Sequence, residues 1–337
     1  MTDAVPTSTE LAHVTTTMER IHTSMSSVLS GLDSVITTTL TTVLAGGHIL
    51  MEDVPGVGKT TLARALARSI DAQVGRIQFT PDLLPADVTG VSIYQANTHH
   101  FEFRPGPVFA NVVIADEINR ASPKTQSALL EAMQEGSVTV DGTTHALPSP
   151  FLVVATQNPI EMEGTYPLPE AQRDRFMTHL SIGYPSADDE VAMIDGRDGG
   201  DPLARLTPVA SLSDLEHASA IASRVYAAPA AKRYAVDIVA ATRQHSRIKL
   251  GASPRATLQL IAAARAAAAF EGRNHIIPDD IKYLAPAVLS HRVVLTRDAR
   301  HGTVTQAEIV GDLVANVPVP RATAPGARNV AGSRASA

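Results

Sequence analysis

Leu11, Val14, Met18, Ile21, Met25 and Val28 recur at spacings of three and four, which predicts an amphipathic helix ended by Gly31. A second helical stretch, Leu32 to Leu44, stops at Gly46-Gly47. The pattern then changes to HILME, a compact apolar run suited to a buried strand. In TLARALARSI, Thr61 to Ile70, the residues Leu62, Ala65, Leu66 and Ile70 share one face, as a helix covering a sheet requires. Two more apolar strands follow, NVVIA ending at Ala115 and FLVVAT ending at Thr156, with the helix SPKTQSALLEAMQEG between them. Ser122 is a good N-cap for that helix, Pro123 suits its first position, and Gly136 suits a left-handed end. Alternating strands and helices predict an α/β fold with a mostly parallel sheet covered on both faces.

Two stretches interrupt this alternation. VSIYQANTHHFEF, Val91 to Phe103, alternates about a polar centre and predicts a hairpin. SVTVDGTTHAL predicts another, with Asp141-Gly142 as its turn. Both are candidates for exposed functional projections. DGRDGGDP, Asp195 to Pro202, is a Gly- and Asp-rich break, and beyond it nearly every segment reads as helix, from SDLEHASAIASRVYAA to PDDIKYLAPAVLSHRV. The organisation expected is N-terminal helices and an α/β domain over 1–196, then a smaller all-helical domain over 203–317. The tail 318–337 has too few large apolar residues to fold alone and is expected to be disordered.

With 337 residues, 44% hydrophobic and 18% charged, the chain can bury the cores of about two domains. The absence of cysteine excludes disulfides, thiol nucleophiles and cysteine metal sites. A formal charge of −6, without a block of Lys and Arg, argues against broad binding to a nucleic-acid backbone, although a localised basic channel in an oligomer stays open. The first residues carry an acidic side chain where a signal peptide needs a basic one. Nowhere do about 20 apolar residues run together as a spanning helix needs. The expectation is a cytoplasmic protein with no membrane span.

DVPGVGKTT follows the first strand and opens its helix, the setting of a phosphate-binding loop. The stretch comprises Asp53, Val54, Pro55, Gly56, Val57, Gly58, Lys59, Thr60 and Thr61. Gly56 and Gly58 let backbone N–H groups approach phosphates, Lys59 supplies positive charge, and the Thr60 hydroxyl can coordinate Mg²⁺. Asp53 stands where the usual G-x-x-x-x-G-K-[ST] pattern has its first glycine; Asp tolerates unusual turn geometry better than most residues. VVIADEIN supplies an acidic strand end, with Asp116 placed to hold Mg²⁺ through water and Glu117 to polarise an attacking water. Adjacent strand residues point to opposite faces, so both serve one site only if the strand ends there and the chain turns. An acidic pair standing alone is more often structural or a solvent-facing strand terminus; beside the preceding loop it is a candidate Walker B pair. Asn158 follows FLVVAT and should emerge at the same sheet edge, to hold a water or a phosphate oxygen, though Asn158-Pro159 is also a routine turn signal. His99-His100 lacks the spacing of a metal motif and reads as a polar loop.

The order of these motifs resembles the AAA+ ATPases, and more narrowly the MoxR family. GGHILMEDVPGVGKTTLARALA, FEFRPGPVFANVVIADEINRASPKTQSALLEAMQEG, ATQNPIEMEGTYPLPEAQRDRF and GASPRA are similar to that family's blocks, in order, from about Gly31 to about Arg292. The resemblance implies an ATP- and Mg²⁺-dependent P-loop domain followed by a helical lid, with six copies forming a ring. It makes Asn158 sensor 1 and Arg255 sensor 2, near the γ-phosphate; without the family, Arg255 reads as a first-turn surface arginine. It makes Val91–Phe103 an insert in the second helix and the second hairpin the one before sensor 1, either of which can line a pore.

LPEAQRDRF alone reads as a solvated, salt-bridged turn. In a short helix, residues two apart diverge by about 200°, so only one of Arg173 and Arg175 easily faces a neighbouring subunit. Arg175 matches the family position that reaches the next subunit's γ-phosphate; Arg173 stands where relatives carry an apolar residue, as a surface pair with Glu170 or a secondary contact. The function implied is ATP-driven, chaperone-like remodelling, assembly, or cofactor or metal insertion of a client enzyme, often with a von Willebrand factor A-domain partner. A nucleic-acid translocase and a nucleotide-gated scaffold with little turnover are the alternatives.

Overall fold

The computed structural model describes residues 4–54, 56–158, 165–198 and 200–320. The chain opens with α1 (Ser8–Ser26) and α2 (Asp33–Leu44). Thr7 and Glu10 close a capping box at the start of α1, the Glu10 carboxylate accepting the Thr7 N–H at 2.8 Å. The α/β part runs β1 (Ile49–Glu52), α3 (Lys59–Ser69), β2 (Val74–Gln78), α4 (Pro85–Thr89), hairpin β3 (Gly90–Gln95) and β4 (His100–Pro105), then β5 (Val112–Asp116). It continues with α5 (Pro123–Glu135), hairpin β6 (Ser137–Val140) and β7 (Thr143–Ala146), β8 (Leu152–Gln157), α6 (Glu170–Arg173) and β9 (Thr178–Leu180). Then come α7 (Ala187–Arg197), α8 (Pro202–Arg205), α9 (Leu212–Ser223), α10 (Pro229–Gln244) and β10 (Ile248–Leu250). The described chain closes with α11 (Pro254–Phe270), α12 (Pro278–Leu289), β11 (Val294–Leu295), α13 (Arg297–Arg300) and α14 (Gln306–Asn316).

Five parallel strands form one sheet in the order β2-β5-β8-β1-β9. Side chains on its inner strands alternate between two apolar clusters. Ile49, Met51, Val112, Ile114, Leu152 and Val154 join one face, packed with α1, α2, α3 and the later helices. Leu50, Val113, Ala115, Val153 and Ala155 join the other, with Phe79, Leu129 and Phe176. Both faces are covered, which is why these strands are continuous apolar runs. The first cluster continues without a break into α9 to α12 and α14, so the N-terminal helices and the C-terminal helices share a core.

The predicted helix ends of α5 are present: Ser122 accepts from the Thr125 N–H, Pro123 opens the helix, and Gly136 is left-handed at φ +60°. Both predicted hairpins form, with Asp141 and Gly142 at positive φ in the second turn. Besides the short antiparallel pair β10–β11, which lies among the C-terminal helices, two strands of the sheet escape the hydrophobic pattern. The edge strand β2 alternates exposed and buried residues, and β9 is three residues long. The Asp195–Pro202 break is partly helical, since α7 extends to Arg197. The expectation for 318–337 falls beyond Pro320 on residues outside those described.

His48, immediately before β1, ties three elements together. Its Nδ1 accepts the Val153 N–H at 3.0 Å, so Nε2 carries the proton and donates to the Met133 carbonyl at 3.2 Å. Burial, with Arg255 adding and the Met133 carbonyl opposing, lowers its pKa from 6.5 to about 4. A depressed imidazole pKa gives stability that is complete above the unfolded value and lost as pH falls toward the folded one, here about 2–3 kcal/mol between pH 6.5 and 4. Chemical denaturation of the parent and of His48→Asn across that window should show the variant less stable at pH 7.5 and less sensitive to acid. Equal acid sensitivity would contradict this assignment.

Candidate active site

The parallel register delivers the ends of β1, β5 and β8 to one edge: Glu52 lies beside Gln157, and Ala115 beside Ala155. The loop after β1 turns into α3 through Gly56 and Gly58, at φ +88° and +100°. A Cβ on either would meet no atom within 4 Å, so backbone conformation, not space, calls for glycine. Lys59 is the first residue of α3 and donates to the Asp53 carbonyl at 2.6 Å and the Gln157 carbonyl at 3.4 Å. Burial lowers its pKa, opposed by the charges of Asp53, Asp116, Glu117 and Glu52. Val54, Val57 and Thr61 are half-buried in the loop and first turn; Pro55 lies outside the described residues.

Asp53 does something other than line this cradle. Its Oδ2 accepts the N–H groups of Ile182 and Gly183 at 2.6 and 2.7 Å and the Ser181 hydroxyl at 2.9 Å. Its Oδ1 accepts the Val54 N–H at 2.8 Å. Burial alone would raise its pKa; these four hydrogen bonds outweigh that and lower it. The carboxylate at the usual glycine position thus pins the start of the loop to the segment after β9.

Glu117 takes the left-handed conformation, φ 57° and ψ 49°, immediately after β5 ends at Asp116. That turn lets two adjacent carboxylates reach one cleft. Asp116 lies 3.5 Å from the Thr60 hydroxyl and pairs with Arg76 at 2.9 Å. Glu117 Oε2 accepts from Gln78 at 3.0 Å and from Arg120 at 2.9 Å, and its N–H donates to the Thr156 hydroxyl at 3.0 Å. A cleft of about 200 Å³ brings together Gly56, Lys59, Thr60, Asp116, Glu117 and Asn158. Arg76, Gln78, Thr156 and Gln157 also line it. The first two escaped the sequence because β2 did; its alternation, with Gln78 paired to Asp116, is the signal that finds them.

The donor set suits Mg²⁺, a hard cation that takes few protein ligands beside phosphates and water. Thr60 and Asp116 offer a hydroxyl and a carboxylate at one point, and no cluster of three or more His, Asp or Glu suited to a metal cage occurs among the described residues.

Arg175 and Arg255 do not line the cleft of their own chain. Arg175, half-exposed, donates to the Gln134 side chain at 3.2 Å. Arg255 is exposed on the first turn of α11, and its charge acts on His48, at the amino end of β1, and on Arg292. Arg173 forms no ion pair with Glu170 among the described residues; its Nε is buried without a hydrogen-bond partner, and its charge acts on Glu52 and His291. The two hairpins lean on each other through stacked Phe103 and His145, centroids 4.0 Å apart, and expose Tyr94 and Phe101.

This sheet order, loop and acidic strand end define an AAA ATPase. The model of the "ATPase family associated with various cellular activities (AAA)" matches residues 48–178, and that of the AAA lid domain matches 240–313. The chain is 43% identical to Chaperone MoxR1 of Mycobacterium tuberculosis over 91% of its length and 84% of that protein's. It is 32% identical to Protein MoxR of Paracoccus denitrificans, over 88% and 95%. It is 53% identical to the uncharacterised YeaC of Bacillus subtilis, over 87% and 92%. The crystal structure of a candidate ATPase from Cytophaga hutchinsonii superposes with a TM-score of 0.86 at 37% identity, covering 93% of this chain and 98% of that one. The chain belongs to the MoxR family of AAA+ ATPases. No helix among the described residues is long and apolar enough to cross a membrane.

If Asp53 acts as a structural pin, Asp53→Gly, which restores the usual glycine, strands the Ile182 and Gly183 N–H groups and lowers stability by about 1–3 kcal/mol. Nucleotide affinity should fall far less than in Lys59→Ala. Thermal unfolding and titration with a fluorescent nucleotide check both; lost affinity at unchanged stability would return Asp53 to the phosphate cradle.

Proposed function

We propose that this chain binds ATP with Mg²⁺ and hydrolyses it, and that turnover drives chaperone-like remodelling, assembly, or cofactor or metal insertion of a client protein. The observation that carries the reading is the convergence of Lys59, Thr60, Asp116, Glu117 and Asn158 on one cleft at one sheet edge. The relative named Chaperone MoxR1 supports the chaperone-like part.

In this reading the loop from Asp53 to Thr61 receives the triphosphate, and Lys59 exchanges two carbonyl partners for phosphate oxygens. Thr60 and Asp116 would hold Mg²⁺, which when bound would supply positive charge beside the triphosphate. Glu117, fixed through Oε2 by Gln78 and Arg120, offers Oε1 to a water proton, and Asn158 orients that water. Six copies form a ring in the cytoplasm, where Arg175 reaches the next subunit's γ-phosphate and steadies transition-state charge. Arg255 serves as the second sensor; its place outside its own cleft requires movement of the helical region or a neighbour's nucleotide. Residues 1–196 form the nucleotide-binding unit and 203–317 the lid. A von Willebrand factor A-domain protein and a client enzyme are the partners, and the charge of −6 favours protein clients over nucleic acid.

Glu117→Gln should retain ATP binding while phosphate release falls by about 10²-fold or more. Unchanged release would remove hydrolysis from this site, and stimulation of the parent by DNA or RNA would favour a translocase. Arg175→Ala should abolish cooperative hydrolysis and spare ATP binding, with a loss on the order of 10³-fold, while Arg173→Ala is milder. The reverse ranking in intact oligomers, read by phosphate release alongside light scattering, would sink the assignment.

A further inference from the structure

Arg292 follows α12, with a side chain only 1% exposed. A guanidinium carries five N–H donors on three nitrogens, and here every nitrogen is engaged. Nε donates to Asp174 Oδ1 at 2.8 Å; Nη1 to the carbonyls of Met177, at 3.1 Å, and Val288. Nη2 reaches the carbonyls of Asp174, at 3.4 Å, and Phe176, and the side chain of Gln259 on α11. One buried cation from the helical region therefore holds the backbone on both sides of Arg175. The other carboxylate oxygen of Asp174 accepts the Ser253 hydroxyl at 2.9 Å, and Ser253 is the N-cap position of α11, two residues before Arg255. Burial lowers the Arg292 pKa to about 10, and the Asp174 charge opposes that. The Arg255 charge adds to the burial effect, which marks how near α11 begins to this cluster.

We propose that Asp174 is a positioning residue: holding Arg292 on one oxygen and Ser253 on the other, it joins Arg175 and the first turn of α11 into one block, so that a displacement of the helical region displaces Arg175. The proposal rests on the reading of Arg175 as the arginine that completes a neighbour's site. Asp174 itself touches no nucleotide; it acts through Arg175. It gives the ring a mechanical route by which the state of one subunit's helices sets the catalytic competence of the next site. A general surface ion pair does not do this, because its partners move freely in water; here the Arg292 side chain is buried, the Asp174 side chain is only 19% exposed, and five further acceptors hold the guanidinium in place.

The experiment compares Asp174→Asn, Ser253→Ala, Arg175→Ala and the double variants, by phosphate release, by affinity for a fluorescent ADP analogue, and by thermal unfolding. Asp174→Asn should lower kcat on the order of tenfold, as displaced catalytic groups do, with analogue affinity unchanged. Ser253→Ala, which removes one hydrogen bond and leaves the ion pair, should lower it roughly threefold. The residual rate of Arg175→Ala, measured with protein in excess over ATP, should not fall further when Asp174→Asn or Ser253→Ala is added. Additive losses, or parental kcat in both single variants, would overturn the coupling while leaving Arg175 in place. Parental rates in Arg175→Ala would overturn the reading beneath it, a distinct result. If Asp174→Asn fails to fold, Ser253→Ala alone and combined with Arg175→Ala carries the same comparison.

Discussion

The parallel register of β1, β5 and β8 is the constraint on which the rest depends. Parallel strands place all their carboxyl ends at one edge, and the crossover helices that parallel pairing requires cover both faces. Gly56, Lys59, Thr60, Asp116, Glu117 and Asn158, which line the cleft, lie at the ends of these three strands or in the loop and helix start that follow them. Because both faces are apolar, the register rests on the fit of two different clusters, and a one-residue slip would exchange their side chains.

The cleft is built from opposed charges at close range. Lys59, Arg76 and Arg120 stand against Asp116 and Glu117, and each carboxylate has a named cation or amide partner. Such an arrangement fixes where charge is accepted without reorganisation at the moment of reaction. Two carboxylates farther out serve geometry instead. Asp53 anchors the loop to the peptide after β9, and Asp174 anchors the arginine segment to the C-terminal helices. Both bind groups more than 75 residues away in sequence, which makes them joints between parts of the chain.

What was legible in the sequence follows from this. The inner strands announce themselves because burial on both faces demands unbroken apolar runs, and the glycine loop and acidic strand end carry chemistry in their spacing. The edge strand β2 and the short β9 do not, since half-exposed or three-residue strands need no such run. With β2 unread, Arg76 and Gln78 are invisible as site residues. Asp53 could be flagged as a departure but not explained, because its partners Ser181 to Gly183 are remote in sequence. Nothing in the sequence singles out Arg292, which is among the most deeply buried charges of the described residues. Arg173 illustrates the converse: its departure from the family was plain, and of the two readings, a surface pair with Glu170 or a secondary contact, the pair does not form and its charge acts on Glu52 and His291.

The most direct test of the central claim is an experimental structure of the Glu117→Gln chain assembled with ATP and Mg²⁺. The account predicts the triphosphate wrapped by residues 56–60, with Lys59 transferred from the Asp53 carbonyl to phosphate oxygens and Mg²⁺ beside Thr60 and Asp116. It further predicts a neighbouring chain's Arg175 at the γ-phosphate. Nucleotide bound elsewhere, with Lys59 still bonded to the Asp53 carbonyl, would contradict it.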